Sequence, residues 1–251
     1  ALLDKGGWLN PESVEWFGEY ARVIAENFSE DCKYFFTFNE PQCFIGLGYL
    51  SGGHAPGQKL SYKETFQITH NVLKAHGTAV INLRKYAKQP ILIGYAPTCG
   101  VAIPASDKPE DIEAAREAYY GFMNPMDNWT WNVTWFSDPV FLGKYPEEGM
   151  KKFAEYLPEI TEEDMKLIYQ PLDFMGQNVY NGYCVRRTED GGIERVKRYD
   201  GFPKTAIQWP VTPECLYWGC KFLYERYHMP IYITENGMSC HDIISLDGKV
   251  H

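Results

Sequence analysis

Two glutamates, each closing a short hydrophobic stretch, carry the chemistry that this sequence offers. Tyr34 to Pro41 reads YFFTFNEP, a run of aromatic and β-favouring residues that ends in an amide (Asn39), a carboxylate (Glu40) and a proline. Pro230 to Gly237 reads PIYITENG and does nearly the same with Glu235. A glycosidic acetal needs one carboxylic acid to protonate the leaving oxygen and a second carboxylate to act on the anomeric carbon. For the retaining route the two groups stand about 5 to 5.5 Å apart, which non-adjacent barrel strands can arrange across a mouth. Burial and the nearness of two like charges split such a pair into an acid and a charged nucleophile, and neither a metal nor a cofactor is called for. Either glutamate alone also fits a salt-bridged loop carboxylate; their matching strand contexts favour the pair. Asn39 is placed to hold a sugar hydroxyl, and Tyr180 to donate to the nucleophile.

The elements that must position these groups follow from periodicity. Strands are expected at 34–38, 91–97 (ILIGYAP), 173–180 (DFMGQNVY, ending in Asn178 and Tyr180) and 231–235. Between them, Asn10 and Pro11 open an amphipathic helix over 11–28, and Ser61 with Glu64 forms a capping box for a long helix. A ring-rich helical region is expected over 109–134, short helices over 147–156 and 161–169, and a further helix over 213–228. Residues 136–146 (FSDPVFLGKYP) read as a loop or lid above the mouth, and 182–204 as a surface hairpin about the turn EDGG. His70 and His76 read as hydrogen-bonded helix residues rather than metal ligands, since no partner has ligand spacing. The strand and helix alternation, with polar groups at each strand's C-terminal end, describes a parallel α/β sheet or barrel. No repeat or linker divides the chain, so residues 1–251 read as one domain.

Composition narrows the partners. A formal charge of -9 on 251 residues disfavours a nucleic-acid backbone. The glycine-rich stretch at 46–57 lacks the lysine of a phosphate-binding loop. No apolar run reaches the length of a membrane span. Seven scattered cysteines without CxxC spacing suit reduced thiols and a cytoplasmic location, with three Asn-x-Ser/Thr triplets as coincidence. The aromatic share of 16%, with 18 Tyr and 7 Trp, fits either ring-on-sugar packing or a large aromatic core.

TFNEP at 37–41 and ITENG at 233–237 resemble the two signature motifs of glycoside hydrolase family 1, the β-glucosidase and 6-phospho-β-glycosidase family. KGGWLN (5–10), GYLSGGHAPG (48–57), HNVLKAHGTAV (70–80), DPVFLGKYP (138–146), DFMGQNVY (173–180) and WPVTPE (209–214) extend the resemblance in order along almost the whole chain. It implies a (β/α)8 TIM barrel of which this chain covers roughly strands four to seven and lacks strands one to three and eight. On that basis residues 1–251 are expected to be a single incomplete barrel domain, an internal fragment completed by missing barrel segments or by self-association. The implied activity is a retaining β-glucosidase acting on terminal β-D-glucosyl residues of cellobiose, oligosaccharides and aryl glucosides, a function in carbohydrate metabolism and cellulose degradation. The alternatives are a 6-phospho-β-glucosidase, against which Pro41 within TFNEP weighs, and a noncatalytic sugar-binding fragment. Glu40 resembles the acid/base, Glu235 the nucleophile, Asn39 the ligand of the sugar 2-hydroxyl and Tyr180 the donor to the nucleophile. Asn178, in the same strand motif, is expected to face and bind the substrate, and Trp209 resembles an aglycone platform. Three positions depart from the common pattern: Gln42 stands where many members have Trp, Val179 where many have Tyr, and Cys215 where a small residue is usual.

Overall fold

A computed structural model of the chain describes residues 2–250. In chain order it contains α1 (Ser13–Phe28), β1 (Tyr34–Asn39), α2 (Pro41–Ile45), α3 (Tyr62–Tyr86), β2 (Leu92–Ala96), β3 (Val101–Pro104), α4 (Pro109–Tyr120) and α5 (Val133–Phe141). It continues with α6 (Glu147–Lys152), α7 (Glu162–Ile168), β4 (Phe174–Asn178), β5 (Gly182–Arg187), β6 (Ile193–Arg195), α8 (Glu214–Tyr227) and β7 (Ile231–Glu235). The four expected strands, β1, β2, β4 and β7, form one parallel sheet in that order. Helical crossovers join its neighbours, as parallel pairing requires. All four strands therefore point their C-terminal ends to one rim, where Asn39, Asn178 and Glu235 terminate β1, β4 and β7.

The helices cover one face of the sheet. Phe35 packs into the cluster formed by Ala21 and Ala25 of α1, Val80 and Leu83 of α3, and Ile91 and Ile93. Thr37 and His76 of α3 share a buried hydrogen bond of 2.6 Å. A register shift between Phe36 and Asn39 breaks the alternation of β1, and Phe38 lies stacked on Phe17 of α1 at a centroid distance of 4.3 Å. The opposite face is bare. Tyr34, Phe36 and Tyr232 are exposed there, gathered around the Phe174 ring at 6.1, 5.0 and 4.9 Å. Gly176 makes this gathering possible, because a Cβ at that position would stand 2.4 Å from the Phe36 ring.

Three expectations need correction. Residues 136–141 are not a loop, for they belong to α5, which is almost wholly buried; only 142–146 are turn and coil. Its Asp138, which reads as a turn residue, is neutralised in the interior by Arg226 (2.5 and 2.8 Å) and accepts from the Tyr227 hydroxyl (2.7 Å), both of α8, and Pro139 sits inside the helix. The helical region at 109–134 is interrupted after Tyr120: Gly121 is extended, and a 3-10 segment, Met126–Trp131, leads to Asn132, whose side chain caps α5 by accepting from the Trp135 amide. The hairpin β5–β6 exists, but β5 also pairs in parallel with β3, and Val185 is fully buried. This second sheet prolongs β2 and β4 above the rim through a bridge between Thr98 and Asn178. Much of the aromatic surplus is core: Phe66, Trp129, Trp135, Phe136 and Phe153 are almost wholly buried, with Phe66 and Trp129 stacked at 3.9 Å.

His70 and His76 are hydrogen-bonded helix residues, His70 through Tyr145 at 3.0 Å. Burial holds the His76 ring neutral down to about 3. The unfolded chain takes up that proton near 6.5, so falling pH between these limits favours unfolding by up to about 1.4 kcal/mol per unit. Urea unfolding at pH 7 and pH 5 is expected to show wild type losing about 2 kcal/mol more than His76→Asn. Equal losses in the two proteins would contradict this coupling.

Candidate active site

The rim is organised by Asn178. Its side chain is wholly buried at the end of β4, and every polar atom of it is engaged. The amide nitrogen donates to Asn39 Oδ1 at 2.9 Å and to Glu40 Oε1 at 2.8 Å, while the oxygen accepts from Thr234 Oγ1 at 2.5 Å. Its backbone is in register with Glu235, and its carbonyl accepts from Thr98 Oγ1 at 3.3 Å. One residue thus ties the ends of β1, β2 and β7 together. This corrects the expectation that Asn178 binds substrate, because the side chain has no surface to offer.

Glu40 stands just past β1 in the left-handed region, with φ 44° and ψ 59°, and begins α2 with Pro41 behind it. A non-glycine residue there costs of order 1 to 3 kcal/mol, a strain that surrounding contacts must hold. Those contacts are the Glu40 amide to Ala96 O (2.8 Å), Asn178 on Oε1, and the Cys43 thiol on Oε2 at 3.0 Å. The half-buried carboxyl group is therefore gripped at both oxygens. Burial, and then the Glu40 carboxylate, push the Cys43 thiol well above the usual thiol range. Sequence reasoning missed Cys43. The available signal was its position three residues after Glu40 on the first turn of a helix.

Glu235 ends β7, and the Tyr180 hydroxyl donates to its Oε2. That bond, followed by burial and the charge of Glu40, raises the Tyr180 hydroxyl to about 12, so it remains a donor at any working pH. The next residue, Asn236, donates to Val179 O at 2.8 Å and fixes the chain leaving β7. Trp209 meets Tyr180 edge to face at 5.4 Å and is 42% exposed. Asn39 is exposed beside Glu40. A cleft of about 720 Å³ opens beside these groups, with Glu40, Cys43, Tyr180, Trp131 and Trp209 in its wall and Asn39 and Glu235 outside it. The structure thus brings Asn39, Glu40, Asn178, Tyr180, Trp209 and Glu235 to one rim. Gln42, at a departure from the common pattern, is fully buried and accepts from the Thr98 amide at 3.4 Å, so it is absent from the cleft wall. Cys215 is likewise buried.

Residues 1–251 match the profile of Glycosyl hydrolase family 1 from end to end. The chain belongs to that family. Beta-glucosidase A of Thermotoga maritima is 40% identical over 252 residues, a match that takes in 100% of this chain and 54% of the relative. Beta-glucosidase A of Acetivibrio thermocellus is 35% identical, with 99% and 54% covered. A solved structure of the Thermotoga maritima beta-glucosidase in complex with deoxynojirimycin superposes with a TM-score of 0.82 at 40% identity, again covering 100% of this chain and 54% of that one. The chain spans about half the length of the curated relatives it matches, and its sheet and helices correspond to part of the family's α/β fold. No helix among the described residues is long and apolar enough to cross a membrane.

Asn178→Ala leaves the Thr234 hydroxyl, Asn39 and one oxygen of Glu40 without a shared partner. Loss of about 1 to 3 kcal/mol of stability is expected in chemical denaturation. A variant as stable as wild type would show that the bridge is dispensable.

Proposed function

We propose that this chain carries the acid/base and the nucleophile of a retaining β-glucosidase. The observation that supports it best is the pairing of Glu40 and Glu235 on one rim, each held by a residue of the β4 segment: Asn178 on Glu40, Tyr180 on Glu235. In the first step a Glu235 oxygen attacks the anomeric carbon as the bond to the leaving oxygen breaks, and Glu40 gives its proton to that oxygen. In the second, Glu40 takes a proton from water, the water oxygen attacks the anomeric carbon, and the ester bond to Glu235 breaks. Tyr180 keeps Glu235 oriented, Asn39 binds the sugar 2-hydroxyl, and Trp209 supplies a face for the aglycone.

The substrate class is unphosphorylated β-glucosides, from cellobiose and short β-glucans to aryl glucosides. Relatives named as beta-glucosidase A and as 1,4-beta-D-glucan glucohydrolase support this choice over phosphorylated sugars. We further propose that the four parallel strands are four to seven of an eight-strand barrel in a single domain. The exposed rings of Tyr34, Phe36 and Tyr232 are then the barrel interior, covered by the other strands, which also complete the sugar pocket. On this reading the 251-residue chain alone hydrolyses glucosides poorly.

The test uses the isolated chain and a chimera in which it replaces the matching half of Thermotoga maritima beta-glucosidase A. After incubation with 2-deoxy-2-fluoro-β-D-glucosyl fluoride, a covalent sugar mass is expected on Glu235 of the chimera and little on the isolated chain. A folded chimera that binds deoxynojirimycin yet stays unlabelled would refute the catalytic assignment, and vigorous hydrolysis by the isolated chain would refute the requirement for further strands. Tyr180→Phe in the chimera is expected to lower kcat about 10- to 100-fold, with KM changing less. An unchanged kcat would remove Tyr180 from the mechanism.

A further inference from the structure

The two contacts on the Glu40 carboxyl differ in kind. Asn178 Nδ2 can only donate, and it takes Oε1. The Cys43 thiol takes Oε2 and can either donate or accept. A proton on Oε1 would oppose the amide N–H, whereas a proton on Oε2 finds an acceptor in Sγ. When the carboxyl ionises, the thiol turns from acceptor to donor and the contact persists. Cys43 sits in the wall of the same cleft, one helical turn from Glu40, so the group it serves also faces the ligand space.

We propose that Cys43 is a positioning residue for Glu40: it keeps Oε2 as the oxygen that carries the transferable proton, and it holds the side chain still through both protonation states of a retaining cycle. This deepens the reading of Glu40 as acid/base and rests on it. The titratable groups facing Glu40 are Cys43 from α2, Tyr180 from the segment after β4 and Glu235 from β7, with His54 and Cys99 lining the same cleft. Only the Cys43 thiol among them bonds Glu40 directly. The raised proton affinity of that thiol, caused by burial and then by Glu40, agrees with a coupled pair.

The coupling is measured by alkylating the 251-residue chain with iodoacetamide across pH 7 to 10 and following each cysteine by peptide mass. In Glu40→Gln the carboxylate charge is gone and the shape kept, so Cys43 is expected to react about three- to tenfold faster than in wild type. Cys99, buried with its thiol bonded to Tyr119 at 3.4 Å, reports the fold and is expected to stay slow. A wild-type rate at Cys43 with Cys99 slow overturns the proposal. If Cys99 becomes reactive in Glu40→Gln, Glu40→Asp decides instead: it keeps the charge but withdraws it from Sγ, and an unchanged Cys43 rate there is the refuting result. In the chimera, Cys43→Ala is expected to move the alkaline limb of the kcat/KM profile about half a unit upward at unchanged KM, with Cys43→Ser restoring it. An unmoved limb in a working chimera overturns the proposal too. A chimera without turnover would instead sink the β-glucosidase reading, and the alkylation rates would still decide the role of Cys43.

Discussion

A buried carboxamide at the end of one strand sets the geometry on which the rest of the rim depends. Asn178 has no solvent to fall back on, so its hydrogen bonds to Asn39, Glu40 and Thr234 must all form if the strand ends are to close. The requirement works in both directions. It recruits three strand ends to a common height, and it holds Glu40 in a backbone conformation that a residue with a Cβ otherwise avoids. The surrounding fold repays that strain through packing, since β1 is locked to α1 and α3 by Phe38 and by the Thr37 to His76 bond.

The proposed division of labour between the carboxylates fits that constraint. Glu40 lies between an amide donor and a thiol that serves as donor or acceptor, an environment suited to a group that must gain and lose a proton. Glu235 receives the Tyr180 hydroxyl, a donor that stays protonated well into the alkaline range, an environment suited to a group that must remain charged. Both holders of the pair come from the three residues Asn178 to Tyr180, so one short segment positions the two halves of the proposed double displacement.

Much of this was legible in the sequence, and two of the three exceptions share a cause. The strands at β1, β2, β4 and β7 announced themselves as hydrophobic runs ending in polar groups, and Tyr180 does reach Glu235. Asn178 was read as facing the ligand because a polar residue at a strand end is usually a surface residue; here its neighbours satisfy it in the interior. The same happened at Asp138 and Pro139, which look like a turn until Arg226, 88 residues away, is known to neutralise the acid. The role of Cys43 rests on the turn of α2 that folds it back on Glu40, and single-residue spacing did not reveal that contact. Long-range partners decide the cases of Asn178 and Asp138, and a local pattern does not contain them, whereas the Cys43 contact is local and needed only the helical start of α2 to be recognised.

The central claim, that Glu235 and Glu40 divide the reaction between them, is tested most directly by azide rescue of the alanine variants in the barrel-completed chimera. With an activated aryl β-glucoside, azide is expected to restore turnover to Glu235→Ala by attacking from the vacated face to give the α-glucosyl azide. In Glu40→Ala it is expected to intercept the intermediate on Glu235 to give the β-glucosyl azide. The same anomer from both variants, or the two anomers exchanged, would contradict the account.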